Sequence, residues 1–300
     1  MWDFSQYRTF DVIANNGYSL KTKISSKNIL MINNYSGRRM KKFIRALLPN
    51  AIVHFIGRHL ALEKARKINS KYKGRKAIDN LVDVTPSVYD ELRNYREAEH
   101  QCGRYLNMKK VVSEMEKLKV EGDVVEFGTW RGHGLVLLDK AFGKKTDRAM
   151  IGVDSFEGLP ESSTIWNKHA FDNTSLEKVE DYLSDNIQNC VGYSLIKGWF
   201  SDPDVKLSLH SRTKRVALVH FDADLGSSTT EALSLIENYL FDRKEPLFLL
   251  FDDWGCHPDE VPDAYFAWEK VAAKKFNFVS EKVCSTNLTR YLKLSFQSDS

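Results

Sequence analysis

No stretch of the chain approaches the roughly 18 uninterrupted apolar residues of a membrane-crossing helix, so no transmembrane span is expected. The opening residues, Met1-Trp-Asp-Phe-Ser5, lack a basic run leading into an apolar core, and no secretory leader is expected from them. Cysteine is scarce. The four present, Cys102, Cys190, Cys256 and Cys284, are too scattered for a zinc cluster or a disulfide framework and suit reduced cytosolic thiols. Internal repeats and low-complexity tracts are absent. Acid is missing from one region only: residues 1–80 hold 17 Lys and Arg against 4 Asp and Glu, a net of +13, whereas residues 81–300 have a net of −9. The overall charge of +4 therefore conceals a basic appendage, residues 1–80, joined to an acidic domain, residues 81–300. An anionic membrane surface, nucleic acid or an acidic protein could meet such a segment, and a merely solvated basic surface is the alternative.

Within the appendage, residues 1–35 carry weak period-two patterning and turn signals such as Asn16-Gly17, consistent with a short hairpin or with a poorly ordered segment. Helical periodicity follows. Met40, Phe43, Ile44 and Leu47 share one face, Pro49-Asn50 interrupts, and Ile52, Phe55, Ile56 and Leu60 form a second stripe. Docking on protein is the expected role of this second helix, with an in-plane membrane helix as the alternative. Lys71-Tyr-Lys-Gly-Arg-Lys76 reads as a hinge. Lid-like helices are expected over 86–119, one opened by Pro86 and another from about Tyr105 to Leu118.

From Val124 onward, apolar strands alternate with helices. Strands are expected at 124–129, 149–154, 194–197, 216–224 and 247–253, with helices at 132–142, 176–183, from Ser227, and at 264–274. Phe276–Ser280 and Leu288–Ser295 finish the chain as an antiparallel pair. Continuous apolar strands separated by helices predict an α/β fold with a doubly wound, mostly parallel sheet covered on both faces. The basic N-terminal segment is expected to be largely helical.

The first strand runs into Gly128-x-x-x-Gly132-x-Gly134. This is neither the Gly-x-Gly-x-x-Gly of a dinucleotide site nor the Gly-Lys-Ser/Thr of a phosphate loop. Glu126, two residues before the turn, would repel a pyrophosphate and suits a cationic cofactor. Asp154, ending the second strand, is placed to accept from a ribose diol. Four more acids fall at later strand ends: Asp222 and Asp224, on one face of their strand, and the pair Asp252-Asp253. Crowded carboxylates call for a cation, and an oxygen-only set favours a hard one, with Mg2+ ahead of Mn2+ or Ca2+. Helix capping and turn formation are the structural alternative. His220, within an apolar strand, reads as structural; His133, His169 and His257 are loop candidates for ligand contact, and Trp130, Trp199 and Trp254 could wall a pocket. Cys256 lacks a basic partner for nucleophilic work.

Together these residues resemble a known family. Val125-Glu-Phe-Gly-Thr-Trp-Arg-Gly132, Asp154-Ser-Phe-Glu-Gly-Leu-Pro160, Lys197-Gly-Trp-Phe200, His220-Phe-Asp-Ala-Asp-Leu225 with Ser228-Thr229, and Phe251-Asp-Asp-Trp254 occur in the order seen in class I S-adenosylmethionine-dependent methyltransferases, and more narrowly resemble the macrocin O-methyltransferases. The resemblance implies a seven-stranded sheet with a C-terminal antiparallel hairpin and a cofactor site at Glu126, Gly128, Thr129, Trp130, Arg131, Gly132, Asp154 and Ser155. It further implies a divalent ion, normally Mg2+, on Asp222, Asp252 and Asp253, with Asp224 as general base. The expected activity is methylation of a hydroxyl on a sugar, glycoside or polyol by a cytoplasmic homo-oligomer, with the basic segment as a route to the inner membrane surface. Gly226 stands where relatives commonly place Tyr, which would alter the acceptor pocket. A non-catalytic S-adenosylmethionine-binding or membrane-tethered module and a nicotinamide oxidoreductase are the competing readings. A nucleic-acid substrate is disfavoured by the acidic domain and by the lack of an Asn/Asp-Pro-Pro-Tyr/Phe stretch.

Overall fold

A computed structural model of the chain describes residues 7–13, 19–25, 95–255, 260–286 and 288–297. The chain divides into two compact units, Met1–His59 and Leu60–Ser300. In the first, strands β1 (Tyr7–Ile13) and β2 (Ser19–Ser25) pair antiparallel, Tyr7 opposite Ser25 and Ile13 opposite Ser19, as the turn signal at Asn16-Gly17 suggests. The helices expected between residues 38 and 76, the hinge at 71–76 and the helix start at Pro86 lie outside the described residues, as do Cys256 and His257.

In the second unit, α1 (Tyr95–Lys117) leads into β3 (Asp123–Phe127), α2 (His133–Phe142), β4 (Ala149–Asp154), α3 (Leu176–Asn186) and β5 (Gly192–Lys197). After these come α4 (Pro203–Arg212), β6 (Val216–Phe221), α5 (Gly226–Ile236), β7 (Leu247–Phe251), α6 (Glu260–Phe276), β8 (Phe278–Ser285) and β9 (Arg290–Phe296). The strands form one seven-stranded sheet in the order β5-β4-β3-β6-β7-β9-β8. The first five are parallel, and β9 joins β7 antiparallel with β8 beside it. The chain reverses its direction of travel across the sheet between β3 and β6, the place where doubly wound folds open a ligand crevice beyond the strand ends.

The apolar strands alternate between two cores. Val124, Met150, Leu218 and Leu250 face one with α1, α2 and α3. Val125, Ile151, Val219 and Leu249 face the other with α4, α5 and α6. This is the pleat period of two applied to strands buried on both faces.

Several boundaries differ from the sequence expectation. The two helices expected between 86 and 118 are, in their described part, one: Tyr105, Met108, Val111, Val112 and Met115 are all buried, and this packing outweighs the roughly 1 kcal/mol that Gly103 costs inside a helix. Strands β3 and β6 stop at Phe127 and Phe221, so Asp222 and Asp224 lie in a turn rather than on one strand face. Helix α4 was not expected, although Pro203 in its first turn after Asp202 is a helix-start signal. No helix among the described residues is long and apolar enough to cross a membrane.

Candidate active site

The crevice beyond β3, β4, β6 and β7 holds a cavity of about 610 Å³. Its floor is the turn after β3. Gly128 has φ +87°, and a Cβ there would fall 1.9 Å from the Asp222 carbonyl oxygen, so β3 and β6 can diverge this late only with glycine at the position. The next two residues, Thr129 and Trp130, line the cavity with Asp154 and Ser155 from the end of β4. Asp154 is locked by main chain: the Trp130 N–H donates to Oδ2 at 2.7 Å and the Phe156 N–H to Oδ1 at 2.6 Å. Burial raises its pKa, opposed by these amide bonds. A carboxylate so fixed presents its remaining lone pairs in one direction, the requirement for gripping a diol. Of the other residues expected at the cofactor, Gly132 begins α2 and Arg131 turns its guanidinium over the Trp130 ring, 4.5 Å from the centroid; neither is on the cavity wall.

Glu126 is also behind the wall, 1% exposed. The parallel register sets it beside His220, and its Oε1 lies 2.7 Å from His220 Nδ1. A Cβ on Gly134 would come within 1.9 Å of that same oxygen, so the start of α2 needs glycine to pass over the pair. Burial, followed by the charge of Asp222, raises the Glu126 pKa, while Arg104 lowers it. His220 is fully buried.

At the opposite end, α1 drives Arg104 into the acids. Its Nη2 donates to Asp222 Oδ2 at 2.9 Å, its Nη1 sits 3.0 Å from Asp252 Oδ2, and Nη2 is 3.4 Å from His220 Nε2. Burial works against the guanidinium charge, but Asp252, Asp222 and Glu126 more than offset it. The Tyr291 hydroxyl, reaching from β9, donates to the Arg104 carbonyl at 3.0 Å and anchors that turn of helix. The acids thus fall into two kinds. Asp222 and Asp252 share a fixed cation; Asp224 does not. Asp224 has φ +58°, its N–H donates to Asp253 Oδ2 at 3.2 Å, and burial together with Asp253, Asp222 and Asp252 pushes its pKa well up. The Trp166 indole N–H, bonded to the Asp224 carboxylate, pulls the other way.

Asp222, Asp224 and Asp252 line the cavity, and Asp253, which is not among the lining residues, accepts from the Asp224 N–H. Among the described residues a different group of possible metal ligands comes together: Glu126, His220 and Asp222, whose ligand atoms all lie within 4.8 Å of one another. There, one His220 nitrogen already faces Glu126 and the other faces the guanidinium.

An aromatic wall joins the two ends. Trp130 meets Phe171 at 5.3 Å and Phe171 meets Trp166 at 4.9 Å between ring centroids, both edge-on, while Trp199 and Phe200 also line the cavity. His133 is on the wall, edge-on to Trp130. His169 and Trp254 are not: His169 supports a loop turn through its N–H to Leu159, and Trp254 packs on Phe251, Tyr265 and Phe266 beneath Arg290. Arg104, Trp166, Phe171, Glu161 and Glu231 are pocket residues that sequence reading missed. The loop following Asp154-Ser-Phe-Glu-Gly-Leu-Pro160 was a signal for Glu161, Trp166 and Phe171; nothing in the sequence marks Arg104.

The profile of the macrocin-O-methyltransferase (TylF) family matches residues 98–274. A curated relative from Streptomyces olivaceus, the 8-demethyl-8-(2,3-dimethoxy-alpha-L-rhamnosyl)-tetracenomycin-C 4'-O-methyltransferase, is 31% identical over 157 residues, covering 45% of this chain and 54% of the relative. The matched part thus spans about half the length of that relative. Among solved structures, the O-methyltransferase NovP is 21% identical with a TM-score of 0.49, covering 65% of this chain and 81% of its own. CalS11, a calicheamicin methyltransferase, is 19% identical with a TM-score of 0.49, covering 77% and 91% respectively. With the family match extending over more than half of its residues, the chain belongs to the macrocin-O-methyltransferase family of class I S-adenosylmethionine-dependent methyltransferases.

Proposed function

We propose that this protein transfers the methyl group of S-adenosylmethionine to a hydroxyl of a sugar, glycoside or related polyol. The observation that carries the reading is a single cavity with a backbone-locked carboxylate, Asp154, at one end and a cation-free carboxylate, Asp224, at the other. Family membership supports the donor, and the name of the Streptomyces olivaceus relative, which methylates a rhamnosyl group, supports the acceptor class.

In this reading Asp154 grips the ribose diol of the donor, while Thr129 and Trp130 border it at the glycine turn. The acceptor hydroxyl lies toward Asp224. Its oxygen attacks the methyl carbon as the carbon–sulfur bond breaks, the sulfonium becomes a thioether, and the hydroxyl proton passes to Asp224. Burial, followed by the neighbouring charges of Asp253, Asp222 and Asp252, raises the proton affinity of Asp224, as a base requires. Arg104 fixes the positions of Asp222 and Asp252. The aromatic wall and the buried strand ends exclude water and align the two reactants.

The oxygen donors at this end fit a divalent cation, Mg2+ or another hard ion. Burial first, then the charges of Asp253, Asp222 and Asp252, drive the Asp224 pKa upward, and a hard cation on these carboxylate oxygens would offset the crowding. Asp222, Asp252 and Asp253 would hold such an ion, whose contribution when bound is to lower the pKa of a hydroxyl. The group of Glu126, His220 and Asp222 fits less well, because its histidine nitrogens are already engaged.

The test is transfer of isotope-labelled methyl from S-adenosylmethionine to methyl α-L-rhamnopyranoside and a panel of other simple glycosides, with and without chelator. Label should enter one of the glycosides, and Asp224→Asn should lower that rate by about 100-fold or more, the usual scale for a lost general base. Donor binding with no transfer to any hydroxyl acceptor would overturn the proposal.

A further inference from the structure

The loop that follows β4 touches both ends of the cavity. On one side the Trp130 indole N–H donates to Asn173 Oδ1 at 3.0 Å, and the Trp130 ring meets Phe171 edge-on at 5.3 Å. Phe171 meets Trp166 in the same manner at 4.9 Å, and the Trp166 indole is bonded to the Asp224 carboxylate. The Trp130 amide meanwhile donates to Asp154. A continuous row of contacts therefore joins the carboxylate proposed for the donor to the one proposed as base. Phe171 is its middle member.

The backbone at Phe171 is in a conformation that local sequence does not favour. Its φ is +70° and that of His169 is +65°, in the left-handed region that bulky side chains avoid. Contacts on both sides hold it there. The Leu159 N–H donates to the Ala170 carbonyl at 2.9 Å and the His169 N–H to the Leu159 carbonyl at 3.0 Å, while a Cβ on Gly158 would fall 2.5 Å from the Ala170 oxygen. Further along, the Ser227 hydroxyl donates to Glu161 Oε1 at 2.5 Å and ties the loop to α5. The loop is thus a braced arch, and strained backbone that its surroundings over-determine is a recurrent feature of functional sites.

Resting on the methyl-transfer reading above, we propose that Phe171 is a positioning residue that carries donor binding to the acceptor end. A donor seated on Asp154 borders Trp130, Trp130 bears on the Phe171 ring, and Phe171 holds the Trp166 indole against Asp224. Rings packed edge-on have a preferred geometry, so one cannot shift without moving the next. Packed side chains of this kind are the physical carriers of coupling between sites. The coupling runs both ways: a ligand that steadies Trp166 steadies the donor in equal measure. The acceptor end is therefore brought into its working arrangement by the donor, and Phe171 acts through Trp166 without touching the reacting atoms.

The experiment labels the full chain with 5-fluorotryptophan at its six tryptophans and follows the fluorine NMR signals as S-adenosylhomocysteine is added, with a calorimetric titration of the same ligand in parallel. Trp130→Phe and Trp166→Phe assign the two signals by their loss. In the unsubstituted chain both signals should move on binding. In Phe171→Ala the Trp130 signal should still move, while the Trp166 signal loses most of its displacement. Phe171→Leu should give the same result and serves if the alanine variant does not fold. Phe171→Tyr, which keeps the ring, should restore the movement. A Trp166 signal that ignores the ligand in the unsubstituted chain, or that moves equally without the Phe171 ring, overturns the inference and leaves the donor assignment standing. Failure to bind S-adenosylhomocysteine overturns both.

Discussion

The two ends of the cavity are built by different means. At the end proposed for the donor, main chain does the work: a glycine turn, two amides on Asp154, and a helix start passing over Glu126, all drawn from residues 126–156. At the acid end, side chains from α1, β6, β7 and their following turns converge on Arg104, with contacts spanning 116 residues to His220 and 118 to Asp222, and β9 supplies Tyr291 from 187 residues away. A site made of backbone is fixed by local sequence and tolerates side-chain change. One made of converging charges depends on every partner, because a buried ion left alone is costly. The first arrangement suits an invariant donor, and the second suits a reaction in which charge has to move.

The comparison is broken most severely at Arg104. Arg104→Met leaves Asp222 and the buried Asp252 without their shared cation. The cost should be about 3–5 kcal/mol of stability, read by chemical denaturation, since removing one partner of a buried pair leaves the other uncompensated. Added divalent cation should recover part of that loss if the acids accept a metal, and a thermal shift with Mn2+ measures it.

Gly134→Ala probes the junction between the two ends. The new Cβ would land 1.9 Å from Glu126 Oε1 and 2.8 Å from Arg104 Nη2, so the Glu126–His220 pair has to move. A loss of about 1–3 kcal/mol is expected, the range for overpacking a filled interior, with weakened donor binding in the same calorimetric titration. Trp166→Phe is gentler. It removes the indole N–H from Asp224 while keeping an aromatic ring, and without that donor the Asp224 pKa rises further. In its proposed role as base, Asp224 acts when deprotonated, so the acid limb of the pH–rate profile should move to higher pH in the variant. An unmoved limb would separate Trp166 from the base. The smallest effect is at the thiols. Burial, then Asp139, pushes Cys190 far above the ordinary thiol range, and burial pushes Cys284 up to about 11, so neither should react measurably with iodoacetamide at pH 8 in the folded protein.

The same contrast explains what could be read from the sequence. The geometry of the turn after β3 was legible because its determinants are adjacent: Gly128 and Asp154 each close an apolar run, and apolar runs alternating with helices fix a parallel sheet. Strand β4 falls at the expected residues, 149–154. The acids at the ends of β6 and β7 were legible as residue types, but not their division into a pair that shares Arg104 and a carboxylate, Asp224, that does not. That division comes from Arg104, one of three Lys and Arg residues from Tyr95 to Lys109 with Arg96 and Lys109, and the packing of α1 on β9 singles it out. Asp224 was expected on the strand face with Asp222; the strand ends earlier because Asp222 has to pass Gly128, and the chain then turns through a positive φ at Asp224. Trp254, legible as a strand-end aromatic, packs into the second core instead, because Tyr265 and Phe266 of α6 are there to receive it.

The separation of the two ends is tested most directly by titrating S-adenosylmethionine calorimetrically into the unsubstituted chain, Asp154→Asn and Asp224→Asn. Asp154→Asn should weaken donor binding by about ten-fold or more, the scale of one lost charge-assisted bidentate contact. Asp224→Asn should leave it within about two-fold, because that carboxylate belongs to the acceptor end. Equal losses in the two variants, or a larger loss at Asp224, would contradict a donor seat made by backbone and an acid end reserved for chemistry.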